Sequence, residues 1–209
     1  IVNKTINKEI LYNPNALRNI LYAEGRGSYA PNLRKTLKQI TLGYKLNMVL
    51  NPALNNLTEA KDSIFRFINN GVNHFYFNTH GTPTSWDLGI NIDTLRNRLE
   101  NISMQGLCTS LSCGAVNFDS SFMSIGEFLT NYSPNKGFSS FIGASRRTDF
   151  IFNISSNLPP SNFYDYLPYS LYHNYSTVTG EILLSTIINT NSTDPYSKFN
   201  FNLLGDPAL

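Results

Sequence analysis

At 209 residues the chain is long enough for one domain with a sizeable core. With 41% hydrophobic and only 14% charged residues, its surface must be made polar largely by Asn, Ser, Thr and Tyr. A net charge of +2 with no basic block leaves no nucleic-acid footprint, and no run of about 18 apolar residues offers a transmembrane helix.

The sequence opens on IVNKTINKEI, with neither an initiator Met nor a signal peptide, and stops at LLGDPAL. The expectation is a single domain over residues 1–209, excised or matured from a longer chain. Asn-X-Ser/Thr triplets occur at Asn3, Asn56, Asn101, Asn131, Asn153, Asn174 and Asn191. A chain so rich in these residues produces several by chance, so they argue little about glycosylation.

NILYA, 19–23, reads as a strand that ends in the turn EGRGSYAP. Residues 32–42 place Leu33, Leu37 and Ile40 on one helical face. KLNMVL, 45–50, reads as a second strand. LTEAKDSIFRFINNG then predicts a helix with Thr58 as N-cap, an apolar stripe of Ile64, Phe65 and Ile68, and a stop at Asn70-Gly71. VNHFYFNTH gives the third strand and LCTSLSC the fourth. SIGEFLTN reads as a short helix, GFSSFIGAS as a fifth strand, TGEILLSTIINT as a helix and KFNFNLLGDP as a final strand. Residues 150–175, rich in Pro, Tyr and Asn, read as a long irregular loop or lid. Strands alternating with helices predict an α/β sandwich around a mostly parallel sheet, with helices on both faces.

Two of the strand runs end on reactive side chains. HFYFNTHG stops at His80-Gly81, and LCTSLSCG stops at Cys113-Gly114. Ligands of parallel sheets bind outside the carboxyl ends of the strands, so neighbouring third and fourth strands put both groups on one rim. A thiol attacks carbonyls as the thiolate, and an adjacent imidazole takes its proton. Gly81 leaves its N–H unshielded, and together with the N–H of Cys113 it forms a candidate oxyanion hole. Cys108, five residues before Cys113, falls on the opposite strand face, which argues against a disulfide and for a buried structural thiol. His74 reads as a surface or packing residue, and His173 has no assignable role. Trp86 is either core packing or the wall of a cleft. No CxxC or HExxH spacing supports zinc.

The ordered set NNGVNHFYFNTHGTPTSW, LSCGAVNFD, SIGEFLTN with GFSSFIGASR, and FNLLGDPAL resembles the catalytic domain of gingipain-type cysteine peptidases, in the caspase-like superfamily. The match in order and spacing runs over about residues 58–209, and residues 1–57 agree only as a generic β-α-β unit. The resemblance implies a caspase-like three-layer α/β/α fold and a His/Cys dyad, with His80 as the catalytic histidine, Cys113 as the nucleophile and Gly81 as an oxyanion donor. It further implies a protein or peptide substrate, flanking domains, a secreted or cell-surface location, no cofactor for the chemistry, and a structural calcium as an option, although no EF-hand-type loop is present.

Two departures matter. Thr79 stands where familiar members have Gly before the His. No acidic S1 residue is evident either. Glu24 is a candidate S1 floor or dyad partner, and Asp149 a second candidate. Arg146 and Arg147 in the same rim loop favour an acidic side chain instead, unless all these charges are simply solvated. Two alternatives stand beside the peptidase. One is a CHAT-type caspase-like regulatory protease. The other is a non-catalytic scaffold or adhesion domain that kept the fold.

Overall fold

The structure is a computed structural model that describes residues 18–26, 30–50, 56–101, 106–148, 163–173, 178–190 and 199–208. In chain order the elements are β1 (Asn19–Glu24), α1 (Pro31–Ile40), β2 (Lys45–Val49), α2 (Leu57–Asn69), β3 (His74–Asn78), β4 (Gly81–Thr82), β5 (Ser85–Trp86), β6 (Ile90–Asn91), α3 (Ile92–Arg98), β7 (Leu107–Leu111), α4 (Ile125–Asn131), β8 (Ser140–Ala144), α5 (Phe163–His173), α6 (Thr179–Asn189) and β9 (Phe201–Gly205).

Six strands form one sheet in the order β2-β1-β3-β7-β8-β9. The first five are parallel, and β9 closes the edge antiparallel to β8. Every residue of β3, β7 and β8 is buried, as expected of central parallel strands covered on both faces. One face packs α2, α3 and α4 through Ile64, Phe65, Leu95, Ile125 and Phe128 against Phe75, Phe77 and Phe141. The other packs α1, α5 and α6 through Leu33, Leu37, Phe163, Leu167 and Ile182 against Ile20, Tyr22, Tyr76 and Ile142. This is the three-layer α/β/α sandwich that the sequence predicts. No helix among the described residues is long and apolar enough to cross a membrane.

The α2 stripe of Ile64, Phe65 and Ile68 is buried as read. Its start is not at Thr58. The helix begins at Leu57, which packs against the core, so Asn56 takes the N-cap position without a side-chain bond. A capping box does form at α4, where Ser124 and Glu127 exchange hydrogen bonds. The hairpin of β4, β5 and β6 and the helix α3 were not anticipated. Their signals are present: Asn91 caps α3 through Thr94 N–H at 2.8 Å, with Asp93 in the first turn and Arg96 and Arg98 in the last.

The expected loop over 150–175 is corrected in part. Residues 163–173 form the helix α5, while 149–162 and 174–177 lie outside the described residues. Pro168 obscures this helix in the sequence because it has no N–H for the carbonyl four residues earlier, that of Tyr164. The Tyr76 hydroxyl of β3 donates to that carbonyl at 2.9 Å and replaces the missing bond. Burial of Phe163, Leu167 and Tyr172 then outweighs the proline's penalty.

His74 is fully inside, with only 2% of its surface exposed. Its Nδ1 meets the Tyr172 hydroxyl at 2.6 Å and its Nε2 the Thr109 hydroxyl at 2.8 Å. It is a packing residue that ties β3 to β7 and α5.

Two stability measurements follow. Tyr76→Phe removes the donor that serves Tyr164 and should cost about 1–2 kcal/mol in urea denaturation. In the Pro168→Ala background, where an N–H is restored, the same substitution should cost less, giving a non-zero coupling in a double-mutant cycle. Burial lowers His74 to about 3 from an ordinary 6.5. Between those values the unfolded chain binds more protons than the folded one, so stability declines as pH falls through that window. In His74→Gln, which cannot titrate, the acid slope should be shallower by up to about 1.4 kcal/mol per pH unit.

Candidate active site

The site grows from the pairing of β3 with β7. Their register sets Asn78 opposite Leu111, and Thr79 N–H continues the ladder to Leu111 O at 3.3 Å. His80 and Cys113 each follow two residues after that pair, so they come level at the carboxyl ends of adjacent strands. His80 is exposed and Cys113 partly exposed. Cys108 lies in the core as a free thiol, its pKa pushed well up by burial.

After His80 the chain turns into the small sheet, and Asp87 N–H donates to His80 O at 3.0 Å. Gly81 and Trp86 are therefore a non-hydrogen-bonded pair of this antiparallel ladder, and the Gly81 N–H is directed away from β5. Only glycine fits there. A Cβ at Gly81 would lie 2.9 Å from both Cβ and Oγ of Ser112, the residue before Cys113.

The Cys113 turn is held from three sides. Gly114 N–H donates to Arg146 O at 3.0 Å, Val116 N–H to Ala144 O at 2.9 Å, and Gly126 N–H to Ala115 O at 2.9 Å. Gly114 itself has a φ of +63°, in the left-handed region that glycine tolerates, and faces Pro83 of the hairpin. The Cys113 thiol sits 3.6 Å from Thr148 O, to which it donates, and 3.8 Å from Thr148 Oγ1.

The remaining predicted residues divide. Glu24 ends β1 opposite Asn78, so β3 carries His80 between the strand of Glu24 and the strand of Cys113. Its carboxylate is fully buried and bidentately paired with Arg34, and it accepts from the Tyr22 hydroxyl at 2.7 Å. Burial first, then the Glu24 charge and hydrogen bond, push Tyr22 far up. Trp86 is 3% exposed and packs edge-on to Phe77 at 5.2 Å. Asp149 lies outside the described residues. Arg146 pairs with Asp119 on the surface.

An open cleft of about 550 Å³ adjoins His80, walled by Gly81, Ser85, Trp86, Arg26 and Asp87. Sequence reasoning missed the last two. Arg26 gives Asp87 its backbone N–H at 2.7 Å and its Nε–H at 3.0 Å. Partial burial alone would raise Asp87, but the Arg26 bonds and charge, with the Leu88 N–H, bring it below the usual carboxylate range. The two residues stand 61 apart in sequence, and nothing local links them. Among the described residues no three His, Cys, Asp or Glu side chains gather to hold a metal ion. Calcium therefore enters no step below.

Comparison with known proteins agrees with this architecture. The model of peptidase family C25 matches residues 1–209. Among curated proteins none matches the sequence. Among solved structures the chain is similar to the Arg-specific cysteine proteinase gingipain R, at 16% identity and a TM-score of 0.75 over 100% of this chain. It is also similar to the complex of the pro- and mature domains of RgpB from Porphyromonas gingivalis, at 14% identity and a TM-score of 0.73 over 99%. A further structure, described as a protease, shares 17% identity and a TM-score of 0.74 over 100% of this chain. The chain spans about half the length of each of these, 52%. The structures speak for the fold, and the match over all 209 residues for the family: the chain belongs to peptidase family C25.

Proposed function

We propose that this chain carries the catalytic machinery of a cysteine endopeptidase. The observation that carries the reading is the β3–β7 register, which brings His80 and Cys113 level at the carboxyl ends of adjacent buried strands. Membership of peptidase family C25 and the likeness to an Arg-specific cysteine proteinase support it.

In this reading His80 takes the thiol proton, and the Cys113 thiolate attacks the scissile carbonyl carbon. The N–H groups of Gly81 and Cys113 stabilise the oxyanion. The C–N bond breaks as the imidazolium gives its proton to the leaving amine. Water, deprotonated by His80, then hydrolyses the thioester and frees the thiol. No cofactor takes part. The substrate is a protein or peptide. Glu24, held by Arg34 and Tyr22, acts as a buried prop behind the histidine strand rather than a substrate contact. The secreted or cell-surface location implied by the resemblance belongs to the same proposal.

Cleavage of an unbiased peptide mixture, read by mass spectrometry, tests this directly. Cys113→Ala and His80→Ala should each lose at least about a thousandfold in rate, while Cys108→Ala, altering only a buried thiol, should keep cleaving. Cleavage by Cys113→Ala at the wild-type rate would end the nucleophile assignment. No cleavage by any variant, with reductant and calcium present, would favour a non-catalytic scaffold. Gly81→Ala forces the hairpin away from Ser112 and should cost about a hundredfold in kcat, the scale of one oxyanion donor.

A further inference from the structure

Trp86 has more hydrogen bonding than a core filler needs. Its indole N–H donates to Ser110 Oγ at 2.9 Å and to Ser112 Oγ at 3.2 Å, and the two hydroxyls are 2.7 Å apart. Both serines are fully buried, as is the indole at 3% exposure. The same strand face continues back to Cys108, beneath the aromatic cluster of Phe75 and Phe141. Buried hydroxyls in such a setting are costly unless they are bonded. A phenylalanine at 86 and alanines at 110 and 112 would fill this region without that requirement. The polar trio stands at the carboxyl end of β7, where the chain leaves the sheet for Cys113.

The backbone of the same residue faces the other half of the site. Trp86 is the cross-strand partner of Gly81, and the next residue, Asp87, donates to His80 O at 3.0 Å. The ring plane is fixed by Phe77 at 5.2 Å and by Phe141, stacked at 6.3 Å. One residue thus holds the His80-Gly81 segment through its backbone and the residue before Cys113 through its side chain. Other bonds anchor the hairpin further out, such as Ile125 N–H to Pro83 O at 2.7 Å, but they do not reach the flank of the thiol.

We propose that Trp86, through its bond to Ser112, is a positioning residue that sets Cys113 against His80 and Gly81. The proposal rests on the reading of His80 and Cys113 as the reacting pair. Trp86 acts through Ser112 and touches neither the thiol nor the scissile bond.

The test is the pH–rate profile of Cys113 alkylation by iodoacetamide, followed by peptide mass mapping, for wild type, His80→Ala, Trp86→Phe and Ser112→Ala. An imidazole-paired thiol reacts below the ordinary thiol range, so at about pH 6 wild type should outpace His80→Ala. Trp86→Phe keeps an aromatic ring and loses only the donor, and Ser112→Ala removes the acceptor while leaving the bond to Ser110. Each should slow alkylation at that pH by about tenfold or more, toward His80→Ala, and lower kcat with KM within about twofold. If both variants keep the wild-type profile and kcat while only their melting temperatures fall, Trp86 is a structural residue and the proposal is overturned. If Trp86→Phe does not fold, Ser112→Ala alone decides in the same way. If wild type and His80→Ala share one profile, the paired-dyad reading itself fails and takes this proposal with it.

Discussion

Everything at the site depends on the parallel pairing of β3 with β7 in one register, from His74 opposite Leu107 to Asn78 opposite Leu111. A slip of one residue would turn every side chain of β7 to the other face. It would bury Cys113 and bring Cys108 to the tyrosine-lined side. The register is held because each face buries a different set. Phe75 and Phe77 lie with Cys108 on one side, and Tyr76 with Leu107 and Leu111 on the other. His74 adds a directional lock, since its bond to Thr109 exists in this register alone.

Around that pair the protein uses buried polar groups as fixed points. Glu24 with Arg34 and Tyr22 secures the β1 end of the rim. The trio of Trp86, Ser110 and Ser112 secures the hairpin to β7. Removing one member of such a set strands the others, whereas removing an apolar neighbour leaves only a void. The arrangement therefore favours one well-defined position of the rim over extra stability.

The fold was largely legible in the sequence because central strands announce themselves. HFYFN and LCTSL are unbroken apolar or small runs, and what stops each of them lands on the rim. His80, Gly81 and Cys113 could be named for that reason. What could not be read depends on pairs far apart in sequence or on local rules being overridden. Arg26 and Asp87 carry no shared pattern. Ser110 and Ser112 look like ordinary small strand residues until the indole is placed over them. The helix at 163–173 was hidden by Pro168, because the compensating hydroxyl comes from Tyr76, 88 residues away. Trp86 carried both of its readings, since it is buried in the core and also forms part of the cleft wall.

The two faces of the sheet are chemically unlike. Beneath α2, α3 and α4 lie Phe75, Phe77, Phe138 and Phe141, which pack without direction. Beneath α1, α5 and α6 lie Tyr22, Tyr76, Tyr172 and His74, whose polar atoms are bonded to particular partners. Non-directional packing accepts exchanges that conserve volume, while a bonded tyrosine accepts almost none. As relatives diverge, the phenylalanine face is free to drift in identity. The tyrosine face can change only when both partners of a bond change together, so it should hold a longer memory of common ancestry.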